Sequence, residues 1–436
     1  MFPALRLTKG CDPLLKLFAL ILFLVMYVLM LALPRRRPWV TSAAALLTLA
    51  TGLLPLRALP AAINWNVLFM LTGAMIVVHY FIRSGMPVRI ADLLMARSKN
   101  VMMVTVSMSL FSGAISAFID NVATVLMVVP VGLAVCRSLK IDPVPMVLSI
   151  AVSSNLQGAA TLVGDTTSVM LGDYAHMDFL SFFWMQGKPG IFFAVELGAL
   201  STVAVMLILF RKERQPVSAA GNGRVEDTFP AVMLLVMVGS LIAASFLPEK
   251  PEVTNGLICL ASAAVVLLRD LIRSGNARGA AEAVVGVDAG ILILLAGLFV
   301  VIAGVSNAGL IADFSQWIVR VGGGSLFLLF TIVLFGSVLF SAFVDNIPYV
   351  AAMLPVLESV TASMGIEPYL LYFALLSGAT LGGNLTPFGA SANLTAVSLL
   401  AREGHVVSYK TFARIGVPFT LAAVCTAYVF LWLVWG

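Results

Sequence analysis

Apolar residues run in blocks along this chain, at about 14–33, 39–59, 62–82, 100–135, 143–172 and 189–210, and again at about 229–247, 253–268, 285–305, 325–357, 367–400 and 412–435. Between the two sets lies a polar stretch, Arg211 to Asp227, rich in small and charged residues. Most blocks are about 20 residues long, the length at which a helix crosses the hydrocarbon core of a bilayer. Those at about 100–135 and 325–357 are longer and carry a polar break in the middle, Asp120-Asn121 and Asp345-Asn346. Each is long enough to enter the bilayer, turn at the break and return, which predicts two re-entrant hairpins with no net crossing. The blocks at about 143–172 and 367–400 read as single crossings interrupted by Gly- and Asn-rich patches.

The second set copies the first. Ser116-Ala117-Phe118-Ile119-Asp120-Asn121 matches Ser341-Ala342-Phe343-Val344-Asp345-Asn346, and Pro130 and Pro355 follow at the same spacing, an offset of 225 residues. At that offset Gly158, Thr161 and Gly164 fall on Gly383, Thr386 and Gly389. Compositional bias aligns stray Leu and Ala, but not polar residues inside apolar runs. The chain therefore divides into a first repeat at 1–211, a linker at 212–228 and a second repeat at 229–436. With five crossings each, an odd number, the second repeat lies antiparallel to the first, as in many secondary transporters.

Composition fixes the solvent. Hydrophobic residues make up 61% of the chain and charged residues 11%, against about 25% charged in ordinary globular domains; mean hydropathy is +1.04. No soluble interior hides that much apolar side chain, so the fold class is an all-α polytopic membrane protein whose first partner is the lipid bilayer. The net charge of +5 reports loop sidedness rather than nucleic-acid affinity. When the side reached after the first helix is taken as inside, 19 of the 26 Lys and Arg fall inside and 7 outside. Both termini are then outside, periplasmic in a bacterial-type inner membrane. The block at 14–33 is too long for a signal-peptide core, ends in Arg35-Arg36-Arg37 and reads as the first spanning helix. Cys11, Cys136, Cys259 and Cys425 are scattered, as are His79, His176 and His405, which indicates neither a disulfide framework nor a metal-centred enzyme.

Unwound backbone cannot face lipid, because each unpaired N–H or C=O there costs several kcal/mol. The hairpin tips and the interrupted helices are therefore expected to be buried together. The candidate ion-binding residues are Asp120 and Asn121 at one tip, Asp345 and Asn346 at the other, Asn155, Gly158, Thr161, Gly164, Asp165 and Thr166 in the first broken helix, and Gly383, Asn384, Thr386, Ser391 and Asn393 in the second. Helix ends, hydroxyls, amides and carboxylates would make an oxygen-rich cage there. An Asp at the bilayer centre costs roughly 2.5–3.5 kcal/mol on insertion scales. No Lys or Arg lies in a spanning segment near enough in sequence to be an obvious partner. The carboxylates are thus protonated, ion-bound or hydrogen-bonded at a helix start; Asp120 and Asp345 are candidates for Na⁺, and Asp165 and Glu196 for a proton. Structural alternatives stand beside these: Asp120, Asp345 and Asp288 as helix caps, Glu196 as an interhelical strut. No cofactor is expected beyond a coupling H⁺ or Na⁺.

At these residues the sequence resembles the ion transporter superfamily that includes ArsB-type arsenite permeases, NhaD-type sodium/proton antiporters, the melanosomal P-protein and citrate-transporter-like permeases. The resemblance runs over about 15–435 and rests on Phe118-Ile119-Asp120-Asn121, Gly158 to Asp165, Val344-Asp345-Asn346-Ile347-Pro348 and Gly382 to Asn393. Gly164-Asp165-Thr166-Thr167 is more like the NhaD pattern, and Gly389-Ala390-Ser391-Ala392-Asn393 more like the P-protein. The second Asp-Asn departs from the Asn-Asn of several arsenite permeases. The resemblance implies a scaffold with a moving transport domain, substrate held between hairpin tips and broken helices, and a homodimer. The expected function is ion-coupled secondary transport, foremost monovalent cation/proton antiport, since the site is rich in carboxylates and poor in bases. Arsenite or antimonite efflux, which a hydroxyl- and amide-lined pocket suits, and citrate, dicarboxylate or inorganic-anion symport are the alternatives. An enzyme is not expected: the chain has no HExxH, and its carboxylates sit at symmetric breaks.

Overall fold

The computed structural model describes residues 13–216, 224–247 and 250–436. Lys9, Arg6 and Cys11, and the middle of the expected linker, lie outside the described residues. The first repeat runs through α1 (Pro13–Ala32), α2 (Arg37–Ala50), α3 (Leu59–Ala62), α4 (Trp65–Arg83), α5 (Met86–Ala96), the hairpin arms α6 (Val101–Ser116) and α7 (Asn121–Leu139), the broken pair α8 (Val144–Gln157) and α9 (Thr166–Tyr174), and α10 (Ile191–Leu209). The second runs through α11 (Phe229–Ala244), α12 (Thr254–Ser274), α13 (Arg278–Val285), α14 (Ala289–Asn307), α15 (Leu310–Val321), the arms α16 (Leu326–Ser341) and α17 (Asn346–Met364), the broken pair α18 (Tyr369–Gly382) and α19 (Ser391–Arg402), and α20 (Tyr409–Trp435). Among the described residues the strands form one short antiparallel ribbon, Trp184–Met185 with Lys188–Pro189.

Caps set the starts. Asn64, Asn100, Asp120, Asp288, Ser325, Asp345 and Ser408 each accept a backbone N–H from the first turn of the helix they precede, satisfying donors that a helix start leaves open. Pro130 and Pro355 sit inside α7 and α17 at matching positions.

The packing pairs of one half recur in the other, and several pairs join the halves. Helix α4 lies on α12 and α14 on α2; α6 lies on α8 and α16 on α18; α19 crosses to α7 and α8 as α9 crosses to α17 and α18. Helices α10 and α20, which correspond, pack on each other. Two groups result, one of α1, α2, α4, α11, α12 and α14, and one of the hairpins, broken helices, α10 and α20.

By length and apolarity alone, eight of the described helices can cross a bilayer, against the ten crossings expected, or nine if α15 and α16, bent by 116° at their junction, form one span. The shortfall comes from α2 and α11, with 14 and 16 residues, and from the broken pairs. Both returning hairpin arms, α7 and α17, reach 19 residues, long enough to span by themselves. Helices α5, α13 and α15 were not foreseen; their apolar residues are spread among polar ones and make no block.

Ion pairs near the loops join segments that the charge partition puts on one side. Arg83 and Arg278 meet Glu282, Arg137 meets Glu403, and Arg269 and Arg273 grip Asp227, whose carboxyl is held below the usual carboxylate range by Arg269. Lys16 meets Asp313, and Lys250 meets Asp178, on the other side.

Candidate functional site

Both hairpin tips are built in the same way. Asp120 precedes α7 at φ −47° and ψ 139°, and Asp345 precedes α17 at φ −53° and ψ 137°. One oxygen of Asp120 accepts from the N–H groups of Val122 (3.0 Å) and Ala123 (3.2 Å); one oxygen of Asp345 accepts from that of Ile347 (3.2 Å). Just before each tip, a threonine of a broken helix donates its hydroxyl to a carbonyl at the end of the outgoing arm: Thr161 to Ala117 and Thr386 to Ala342.

Gly164 and Gly389 complete these joints. A Cβ on Gly164 would lie 2.7 Å from the carbonyl oxygen of Gly158 and 2.9 Å from that of Ala117; a Cβ on Gly389 would meet Gly383 and Ser341, each at 2.7 Å. Only glycine lets backbone approach backbone this closely. The breaks are thus keyed to the hairpin ends, and Gly158 and Gly383 supply carbonyls that Ser168 (2.9 Å) and Asn393 (3.0 Å) bind.

Buried amides tie the halves together. Asn121 donates to Asn155 (3.2 Å), Asn155 donates to the Thr380 carbonyl (2.7 Å) and to Asn384 (3.2 Å), and Asn393 also donates to Asn384 (3.2 Å). Asn384 returns to the Val152 carbonyl at 2.9 Å. Asn346, from the second tip, reaches Asp165 of the first broken helix at 3.4 Å, and Thr167 donates to the same Asp165 oxygen at 2.5 Å. The expected meeting of the tips and the breaks is present. Most of these amides, however, have their hydrogen-bonding capacity used within the protein and hold the frame.

The chemistry faces a cavity of about 340 Å³ between α4 and the first tip. Asp120, Asp165, Thr166, His79 and Asp288 line it together with apolar side chains from Met70 to Ile82 and from Phe118 to Leu126. Over the described residues its lining holds no Lys or Arg. Asp165 is 5% exposed. The hydroxyl of Thr166 and Nε2 of His79 are buried without a protein partner. Unsatisfied buried oxygen beside two carboxylates is a donor set for a small hard cation.

Asp345 stands apart, and here the expectation of carboxylates without a basic partner is corrected. Arg37 Nη1 lies 2.8 Å from its second oxygen, which Ser391 also approaches at 2.9 Å. The partner comes from 308 residues away in the chain, so no local pattern announces it. In this arrangement that oxygen of Asp345 already carries a guanidinium and a hydroxyl donor. Glu196 also lies off the cluster: half-buried on α10, it hydrogen-bonds the side chain of Gln157. In sequence His79 is far from the other histidines; the docking of α4 against α9 and α13 brings it to the cavity wall.

A family model described as citrate transporter matches residues 25–376 and 259–435 of the chain. An uncharacterized transporter of Mycobacterium tuberculosis is 30% identical over 381 residues, spanning 85% of this chain and 86% of its own length. Human P protein is 23% identical over 450 residues, 84% of this chain and 52% of that one. Among solved structures, the YdaH transporter of Alcanivorax borkumensis aligns with a TM-score of 0.60 at 14% identity over 97% of this chain and 98% of that one. MtrF of Neisseria gonorrhoeae aligns with a TM-score of 0.53 at 15% identity over 88% and 82%. At such identities the two structures speak to fold alone.

Proposed function

The chain belongs to the citrate transporter family, and on that premise we propose that this membrane transporter exchanges a monovalent cation for protons at Asp120 and Asp165 by alternating access. The observation that carries the proposal is the cavity wall: the carboxylates of Asp120, Asp165 and Asp288 and the unpartnered Thr166 hydroxyl, with no Lys or Arg among the described lining residues. In a low-dielectric site two neighbouring carboxylates do not both stay charged without a counter-ion. Either a proton or a metal ion must be there, and competition between them is what couples the two fluxes. The cavity sits where α4 and the start of α14 face the hairpin and broken helix, so a rigid shift of one group against the other would close it on one side and open it on the other.

The two repeats are taken as antiparallel copies, both termini as periplasmic and the assembly as a homodimer. The test is transport by purified protein in liposomes. Na⁺ or Li⁺ added to vesicles holding a pH gradient is expected to collapse it, and Asp165→Asn is expected to abolish the response. As(III) or citrate flux with no response to monovalent cations would overturn the proposal.

The family's description favours a second substrate class, a polycarboxylate. Asp120, Asp165 and Asp288 would repel a bare trianion, so such a substrate would enter only with cations masking its charge. Labelled citrate uptake that depends on the accompanying cation would favour it.

A further inference from the structure

Local sequence makes the two hairpin tips near-copies, yet their surroundings differ in one respect that bears on ion counting. Asp120 borders a cavity of about 340 Å³. Asp345 borders a void of about 10 Å³, lined by Tyr27, Met30, Leu31, Arg37, Val344 and Pro348. That void is no larger than the minimum for one water. What occupies the carboxylate's free side is the guanidinium of Arg37, 2.8 Å away, with its Nε held 3.3 Å from the Met30 carbonyl. The Asp345 side chain is 7% exposed and that of Arg37 20%.

We propose that Arg37 is a tethered cation filling the second tip site, so that the exchangeable cation binds at the Asp120–Asp165 site alone. The inference rests on the cation-exchange reading above and extends it to stoichiometry. Three features support it. A guanidinium stays protonated at any working pH, so its charge can neither leave nor be replaced by a proton. Ser391 Oγ donates to the same Asp345 oxygen at 2.9 Å, so that oxygen already holds both a hydroxyl and a guanidinium donor. Finally, Arg37 belongs to the α2 group while Asp345 and Ser391 belong to the hairpin and broken helix. Tyr27 of α1 makes a parallel link across the same boundary, donating its hydroxyl to the Pro348 carbonyl at 2.5 Å. The fixed charge therefore sits where the second ion would sit, and it is carried by the other group of helices.

The experiment counts ions. Radioactive Na⁺ binding to purified protein and the Na⁺ order of flux in liposomes are measured for the wild type, Arg37→Lys, Arg37→Gln, and Arg37→Gln combined with Asp345→Asn. First-order flux and single-site binding are expected for the wild type and Arg37→Lys. A second, weaker Na⁺ site is expected in Arg37→Gln and should vanish in the double variant. Equilibrium binding keeps the result legible if Arg37→Gln does not transport. A wild type already second-order in Na⁺, or an inserted Arg37→Gln protein that still binds a single Na⁺, overturns the proposal. A wild type with neither Na⁺ binding nor Na⁺-dependent flux removes the cation-exchange reading itself, and this inference with it.

Discussion

Asp120 combines two physical roles that substitution can separate. As the cap of α7 it accepts from two backbone N–H groups, and as a cavity-wall carboxylate it faces Asp165 and Thr166. Asparagine keeps the capping oxygen and removes the charge, whereas alanine removes both. Asp120→Asn is expected to unfold near the wild-type temperature in detergent while losing cation-driven flux. Asp120→Ala should lose the flux and about 1 kcal/mol of stability as well. Equal stability loss in the two variants would mean that the charge itself holds the tip. At the same scale, Thr161 and Thr386 read as ligands from sequence but spend their hydroxyls on hairpin carbonyls, a structural use of the residue type that a transport site would also favour.

The element that organises the site is the break between α8 and α9, with its counterpart between α18 and α19. Each break is keyed to a hairpin through one glycine, and the key has no slack: carbonyl oxygens stand 2.7–3.0 Å from where a Cβ on Gly164 would be. Gly164→Ala is therefore expected to push the break away from the end of α6, at a cost of about 1–3 kcal/mol for an overpacked joint. Thermal unfolding of the solubilised protein measures the loss; an unchanged midpoint would mean that the loop yields freely. The repeat made this joint legible, since Gly164 and Gly389 align. It left illegible that Asp165 has no acidic mate, its counterpart being Ala390, so the two joints differ in charge while sharing a backbone.

At the scale of the whole molecule, the cavity beside Asp120 predicts access from the face that its lining approaches. The lining from Met75 to Ile82 and at Gly286 and Asp288 lies toward the ends that carry Arg83 and Glu282. Val78→Cys in a background free of native cysteines is expected to react with a membrane-impermeant thiol reagent added on that face, and to be protected by Na⁺. Labelling from the opposite face would reverse the assignment of sides.

The sequence by itself determined the lipid environment, the duplicated order of elements, the capped hairpin tips and the glycine joints. All of these rest on composition or on contacts within a few residues, and such contacts are written in local pattern. Only the tertiary structure decided that Arg37 reaches Asp345, that His79 and Asp288 join Asp120 around a cavity, and that Glu196 stays out of it. Each of those depends on how helices distant in the chain dock, and docking is set by side-chain shape over whole faces. Two tips with almost the same letters thus acquire different chemistry: the local sequence fixes where each carboxylate is held, and the helix packed against it fixes what the carboxylate meets.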